Sequence, residues 1–154
     1  MMKRKLVTSL VAALMAVCFV SVAVYAGTQA ADTITMNTKA YAKHTKGLVT
    51  FSHKVHAEEY GISCGDCHHD DKGTPLALKG GEDVQSCVAC HKDTGKKPKG
   101  EKLSKKDKIA KYHKEALHAN CIGCHKAFNK KNGLKSKDPK AAPQSCKSCH
   151  PKKG

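Results

Sequence analysis

Apolar and polar positions are spread very unevenly along this chain. From Leu6 to Val24 almost every residue is apolar; Lys3, Arg4 and Lys5 precede the run, and Ala26, Gly27, Thr28 and Gln29 follow it. A basic start, an apolar stretch of this length and small residues behind it predict a secretory signal, residues 1–26, cut near Ala26. A retained anchor is the lesser reading, because no basic stop-transfer cluster comes next. Cys18 lies inside the run and leaves with it. Beyond the run, apolar positions thin out. Thr33–Met36 and Leu48–Phe51 are short β-prone runs separated by Gly47, and they predict a small hairpin or two-stranded ribbon. His53 to Tyr60 predicts a short helix that Gly61 ends. Ser104 is placed to cap a helix running to Ala119, with Ile109, Tyr112, Ala116 and Leu117 on one apolar face. Residues 70–83, rich in Asp, Gly and Pro, read as loop; 92–108 is rich in Lys and Gly with Pro98, and 126–145 is again Lys-rich and broken by Gly133, Pro139 and Pro143. The fold class expected is small and mainly α, with much irregular loop and a short N-terminal β-hairpin. Residues 27–46 form an N-terminal extension, and 47–154 form the main domain.

Composition explains why so few apolar residues could still fold. The 154 residues include nine Cys, ten His, no Trp and only 5% aromatics, with 28 Lys+Arg against 13 Asp+Glu for a net charge of +15. This length excludes a large enzyme, a multi-domain machine and a polytopic membrane protein. Aromatics normally supply much of a core's buried area, so a chain this poor in them needs staples or a cofactor. Loss of residues 1–26 leaves eight Cys, and 25 basic against 13 acidic residues for a charge of +12. An exported chain of this kind is expected in the bacterial periplasm, where unbonded structural thiols do not persist.

The eight remaining cysteines form four pairs, each followed at once by histidine: Cys64/Cys67/His68, Cys87/Cys90/His91, Cys121/Cys124/His125 and Cys146/Cys149/His150. C-x-x-C-H is the attachment signature of c-type haem. Two thiols three residues apart on one helical turn reach the two vinyl groups of one porphyrin, and the adjacent imidazole is held at the iron. A disulfide framework or zinc knuckles would explain the cysteines but not the histidine after every pair. A thioredoxin-like redox motif would occur once, not four times. The spacing implies four haem c groups. The first cysteines lie 23, 34 and 25 residues apart, so the motifs are not units of a solenoid.

Six further histidines could supply second axial ligands: His44, His53, His56, His69, His113 and His118. After signal removal Met36 is the one remaining methionine, so bis-histidine ligation follows from counting if all four irons are six-coordinate. Such irons have low potentials. His53 and His56 share one face of a helical turn and would serve two different irons. His68 and His69 are adjacent and must point apart. His118, three residues before Cys121, has His113 as its rival. His44 and His113 are otherwise expected to be solvated surface histidines.

Phe51-Ser52-His53-Lys54-Val55-His56, then Cys64-Gly65-Asp66-Cys67-His68-His69 and three later C-x-x-C-H motifs, resemble the class III tetrahaem cytochromes c, the cytochrome c3 family of sulfate-reducing bacteria. The resemblance covers roughly residues 47–151. It implies a compact fold organised around four covalent haems, with axial pairs His68 with His53, His91 with His69, His125 with His56, and His150 with His118. It also implies that Phe51 packs beside the first haem. The chain departs from the family pattern in having two residues between the cysteines at every motif, where members often have four at the second or fourth.

The expected function is low-potential periplasmic electron carriage. The resemblance implies a hydrogenase or formate dehydrogenase as donor and a membrane-bound redox complex as acceptor. A multihaem reductase acting on a metal ion or small oxyanion is the alternative, disfavoured because the supply of histidines exceeds the demand for sixth ligands. Eight propionates on four haems would bring the formal +12 to about +4, so no nucleic acid is needed to account for the lysines. Their clusters at 92–114, 126–140 and 147–153 suggest a surface that steers acidic redox partners.

Overall fold

The computed structural model describes residues 30–152; the predicted signal peptide lies outside them. Among the described residues, 31–78 and 84–152 form one compact unit, and the short segment Lys79–Asp83 is separate from it. In that short segment the Lys79 N–H donates to Glu82 Oε2 at 2.9 Å, and Gly80 and Gly81 turn the chain with φ of 88° and 72°.

The expected ribbon forms from β1 (Ile34–Thr35) and β2 (Thr50–Phe51), which pair antiparallel with Ile34 opposite Phe51 and Thr35 opposite Thr50. Two flanking bonds lengthen the ladder, Met36 N–H to the Val49 carbonyl at 2.8 Å and Lys54 N–H to the Asp32 carbonyl at 3.1 Å. The chain between the strands is long, so this is a ribbon rather than a tight hairpin. β2 delivers Phe51 directly into the His53–His56 turn. That turn continues as a π-helical Val55–Glu59, and Gly61 at φ 61° ends it as expected.

Four α-helical segments follow: α1 (Cys87–Cys90), α2 (Lys105–Lys111), α3 (His113–Lys131) and α4 (Cys146–Cys149). Ser104 caps α2, its Oγ accepting the Asp107 N–H at 3.1 Å. The single helix expected from Ser104 to Ala119 is instead broken at Tyr112, whose φ of −99° and ψ of 120° are extended. The break allows an edge pairing. Asp93 N–H donates to the Lys111 carbonyl at 3.2 Å and His113 N–H to the Asp93 carbonyl at 3.0 Å, stitching the stretch after the second motif to the α2–α3 corner. At the far end the helix runs through the third motif into the Lys-rich interval and on to Lys131. Lys, Ala, Phe and Asn at 126–131 permit helix, and Gly133 at φ 65° stops it.

The polypeptide's own apolar core is small. Among the described residues the one buried hydrophobic side chain is Tyr112, 2% exposed, joined by the polar His113 and Asn129. Tyr112 Oη donates to Glu101 Oε2 at 2.6 Å, and Lys111 Nζ meets Glu101 Oε1 at 2.5 Å, which closes the loop before α2 onto the corner.

Candidate functional site

Each Cys-x-x-Cys-His motif folds into one helical turn closed by its own histidine. The backbone N–H of His68 donates to the Cys64 carbonyl at 2.8 Å, that of His91 to Cys87 at 2.9 Å, and that of His150 to Cys146 at 2.8 Å. Three of these turns are isolated, while Cys121, Cys124 and His125 sit inside the long α3. An isolated turn needs a start signal, and Ser63, Ser86 and Ser145 each stand in extended backbone just before the first cysteine. Ser145 Oγ accepts the Ser148 N–H at 3.3 Å; at the first turn the Ser63 N–H donates instead to Asp66 Oδ2 at 3.1 Å. At the second turn Ser86 makes no side-chain cap bond, so of the three serines Ser145 is the one whose hydroxyl caps its turn.

None of the eight motif cysteines is paired in a disulfide. Burial pushes the Cys67 thiol up, and nearby Cys121 and Cys124 push it the same way. Burial likewise raises Cys121, with Cys149 and Cys87 as the next contributors. Sulfurs from different motifs thus sense one another, so the four turns converge although they are far apart in sequence.

The histidines come together in pairs drawn from separate segments. The rings of His56 and His125 lie 6.3 Å apart with planes 27° from parallel. Those of His69 and His91 lie 5.9 Å apart at 74°, and those of His118 and His150 lie 6.4 Å apart at 75°. His68 is pushed down in pKa by burial first, then by His53 and His69 nearby. Phe51 sits against both histidines of the first turn, its ring centre 4.7 Å from that of His56 and 6.1 Å from that of His53.

Ring orientation is set by backbone carbonyls. Nδ1 of His56 donates to the Ser52 carbonyl at 2.8 Å, that of His69 to Asp70 at 2.7 Å, and that of His91 to Ala110 at 2.9 Å. Nδ1 of His125 donates to the Pro143 carbonyl at 2.6 Å, and that of His150 to Gly47 at 2.8 Å. A carbonyl only accepts, so the proton of each neutral ring is on Nδ1, and the Nε2 lone pair is left for a metal.

The ring spacing fits haem iron held between two imidazoles. A metal–imidazole bond of about 2.0 Å puts two ring centres across one ion roughly 6.3 Å apart, close to the spacing of the three ring pairs.

His113 is not the solvated histidine expected. It is 4% exposed, and its Nδ1 lies 2.9 Å from Tyr41 Oη. The Tyr41 ring stands 5.4 Å from His44, which is half-buried rather than free at the surface. Beside the extended break at Tyr112, the His113 N–H is held by the Asp93 carbonyl at 3.0 Å.

The class III cytochrome C family model matches residues 29–150. The chain belongs to that family. A cytochrome c3 of Maridesulfovibrio salexigens is 39% identical over 116 residues, covering 74% of this chain and 88% of its own length. A cytochrome c3 of Desulfovibrio desulfuricans is 32% identical over 115 residues, covering 73% and 87%. A cytochrome c3 of Desulfomicrobium norvegicum, described as 26 kDa, is 28% identical over 128 residues. As a class III cytochrome c this chain is a haem-binding electron-transfer protein, not an enzyme. No helix among the described residues is long and apolar enough to cross a membrane.

Proposed function

We propose that this class III cytochrome c is a periplasmic carrier holding four haem c groups, each iron between two histidines: His68 and His53, His91 and His69, His125 and His56, His150 and His118. The thioether cysteines are Cys64 and Cys67, Cys87 and Cys90, Cys121 and Cys124, and Cys146 and Cys149. The observation that carries this reading is the meeting of three of these histidine pairs, each from separate segments, at 5.9 to 6.4 Å. Haem supplies a reversible one-electron change at iron. The polypeptide supplies axial nitrogens, carbonyl-bound Nδ1–H groups that strengthen them and favour the ferric state, and no methionine pair to raise the potential.

Electrons arrive from a periplasmic hydrogenase or formate dehydrogenase and leave to a membrane-bound redox complex of anaerobic respiration. The lysines at 92–114, 126–140 and 147–153 flank the third and fourth motifs and suit acidic faces on such partners. The test is spectroscopic. Purified protein is expected to show four covalent haems per chain by alkaline pyridine haemochrome, a fully low-spin resting spectrum and low potentials throughout. Fewer than four haems, or a high-spin iron in the resting state, would refute the ligand set.

A further inference from the structure

Asn129 is the second polar side chain that the fold buries, at 3% exposure, and it carries no role in haem attachment. It lies on α3 four residues after His125, one turn further along the same face. Its side-chain amide makes a two-way grip on Ala142: Nδ2 donates to the Ala142 carbonyl at 2.9 Å, and the Ala142 N–H donates to Oδ1 at 2.8 Å. The next residue is Pro143, whose carbonyl accepts the His125 Nδ1–H at 2.6 Å. Proline has no N–H with which to anchor itself, and the Ala142 N–H is committed to Asn129. Two successive turns of one helix therefore hold two successive residues of one loop, and the buried amide fixes where the carbonyl that orients His125 stands. The pair this ring joins is also the odd one in geometry, 27° from parallel where the other two are close to perpendicular.

We infer that Asn129 is a positioning residue for the third-motif iron. By clamping Ala142 it holds the Pro143 carbonyl on His125 Nδ1 and sets the plane and donor strength of that ligand. The inference rests on the reading that His125 and His56 share one iron. A carbonyl-bound Nδ1–H makes imidazole a better donor and favours ferric iron, so loosening the clamp favours ferrous iron at that one site.

The experiment uses holoprotein carrying Asn129→Ala, and Asn129→Asp as a second variant that keeps the shape and the acceptor for the Ala142 N–H but loses the Nδ2 donor. Asn132→Ala is the control, since Asn132 Nδ2 bonds only within its own helix, to the Phe128 carbonyl at 2.8 Å. Both Asn129 variants are expected to alter the electron paramagnetic resonance of one low-spin iron, and Asn129→Ala, which adds no charge, is expected to favour its ferrous form about tenfold, a rise of about 59 mV. Asn132→Ala is expected to leave every potential in place, whatever it does to the melting temperature. Unchanged spectra and potentials in both Asn129 variants would overturn the inference, as would equal drift of all four irons, which marks general loosening. His56→Ala separates the underlying reading: if it produces no five-coordinate iron, the ligand pair and the clamp built on it both fail.

Discussion

Among the described residues Gly47 should be the least replaceable glycine, and the reason is local. Its carbonyl accepts the His150 Nδ1–H across 103 positions of sequence. For that approach its Cα must lie against Pro151. A methyl group at Gly47 would overlap the Pro151 carbonyl oxygen and stand 2.9 Å from Pro151 Cγ and 3.0 Å from its carbonyl carbon. Two of those atoms are backbone, next to the motif histidine itself, and cannot swing aside. Gly47→Ala therefore separates the two segments, at an overpacking cost of about 1–3 kcal/mol. Weakening the His150 bond adds about 1 kcal/mol. Together, about 3 kcal/mol corresponds to a melting temperature lower by roughly 10 °C. Gly61→Ala is the internal comparison: at φ 61° with open space around it, it carries only the left-handed penalty of about 1–2 kcal/mol. Thermal unfolding of the holoprotein by circular dichroism measures both, and a spectroelectrochemical titration reads the iron that His150 serves. Gly47→Ala should destabilise more than Gly61→Ala and move one potential, while Gly61→Ala moves none. Equal stabilities with all potentials unmoved would refute the close-approach argument.

The remaining expectations divide by readout. His118→Ala should leave one high-spin, five-coordinate iron, whereas His113→Ala should leave all irons low-spin and lower stability by about 2 kcal/mol through the lost Tyr41 bond; visible and magnetic spectra of the two variants decide it, and the reverse result would exchange their roles. The Glu101 carboxyl is held below the usual range by the Lys111 ammonium first and the Tyr112 hydroxyl second. A depressed carboxyl pKa adds stability above the unfolded value of about 4.3, and that stability is lost as pH falls through the folded value. Denaturation across acid pH should thus show Glu101→Gln less stable than wild type near neutrality, with the gap closing on acidification; a gap that widens there would contradict the assignment. Electron transfer to an acidic redox protein should slow as salt rises past about 0.1 M, where the screening length is about 10 Å; stopped-flow rates indifferent to salt would remove the lysine clusters from docking.

Chemistry was more legible in this sequence than architecture. Cys-x-x-Cys-His is a local pattern, and a local pattern dictates a local turn, so the motif turns follow from twenty residues in four copies of one spacing. The β1–β2 ribbon, the Ser104 cap and the Gly61 stop were readable for the same reason. The break at Tyr112 was not. The 3.6-residue apolar rhythm continues straight across it, and what interrupts the helix is a pairing with Asp93 and a buried bond to Glu101, both made by tertiary contact. His113 lies four residues after Ile109 and three before Ala116, on the apolar side of the rhythm, but its partner Tyr41 is 72 positions away and nothing local flags it. The carbonyl partners of the histidine rings, at Ser52, Asp70, Ala110, Pro143 and Gly47, belong to a class that sequence cannot flag, because every residue has a carbonyl. Asn129 escaped for another reason: in a Lys- and Asn-rich stretch, an asparagine reads as solvated unless its partner is known.

The pairing of histidines also explains how so thin a core can specify one fold. With Tyr112 as the one buried hydrophobic residue among those described, side-chain packing cannot select among the many ways of folding the loops. The paired histidines make that selection instead. His56 on the first turn meets His125 on α3, His69 beside the first motif meets His91 at the second, and His118 on α3 meets His150 at the fourth. Each pairing joins segments that the others leave free, and α3 enters two of them, so a shift of that helix disturbs two pairs at once. The carbonyl bonds add a second set of ties over different spans, Pro143 to His125 and Gly47 to His150 among them. A net of long-range polar ties is slow to assemble, since each closes a loop before the next can help. Under the proposed haem attachment, each local Cys-x-x-Cys-His turn would anchor one histidine of a pair, and the distal histidine would have only to reach a ligand position already tied to the chain.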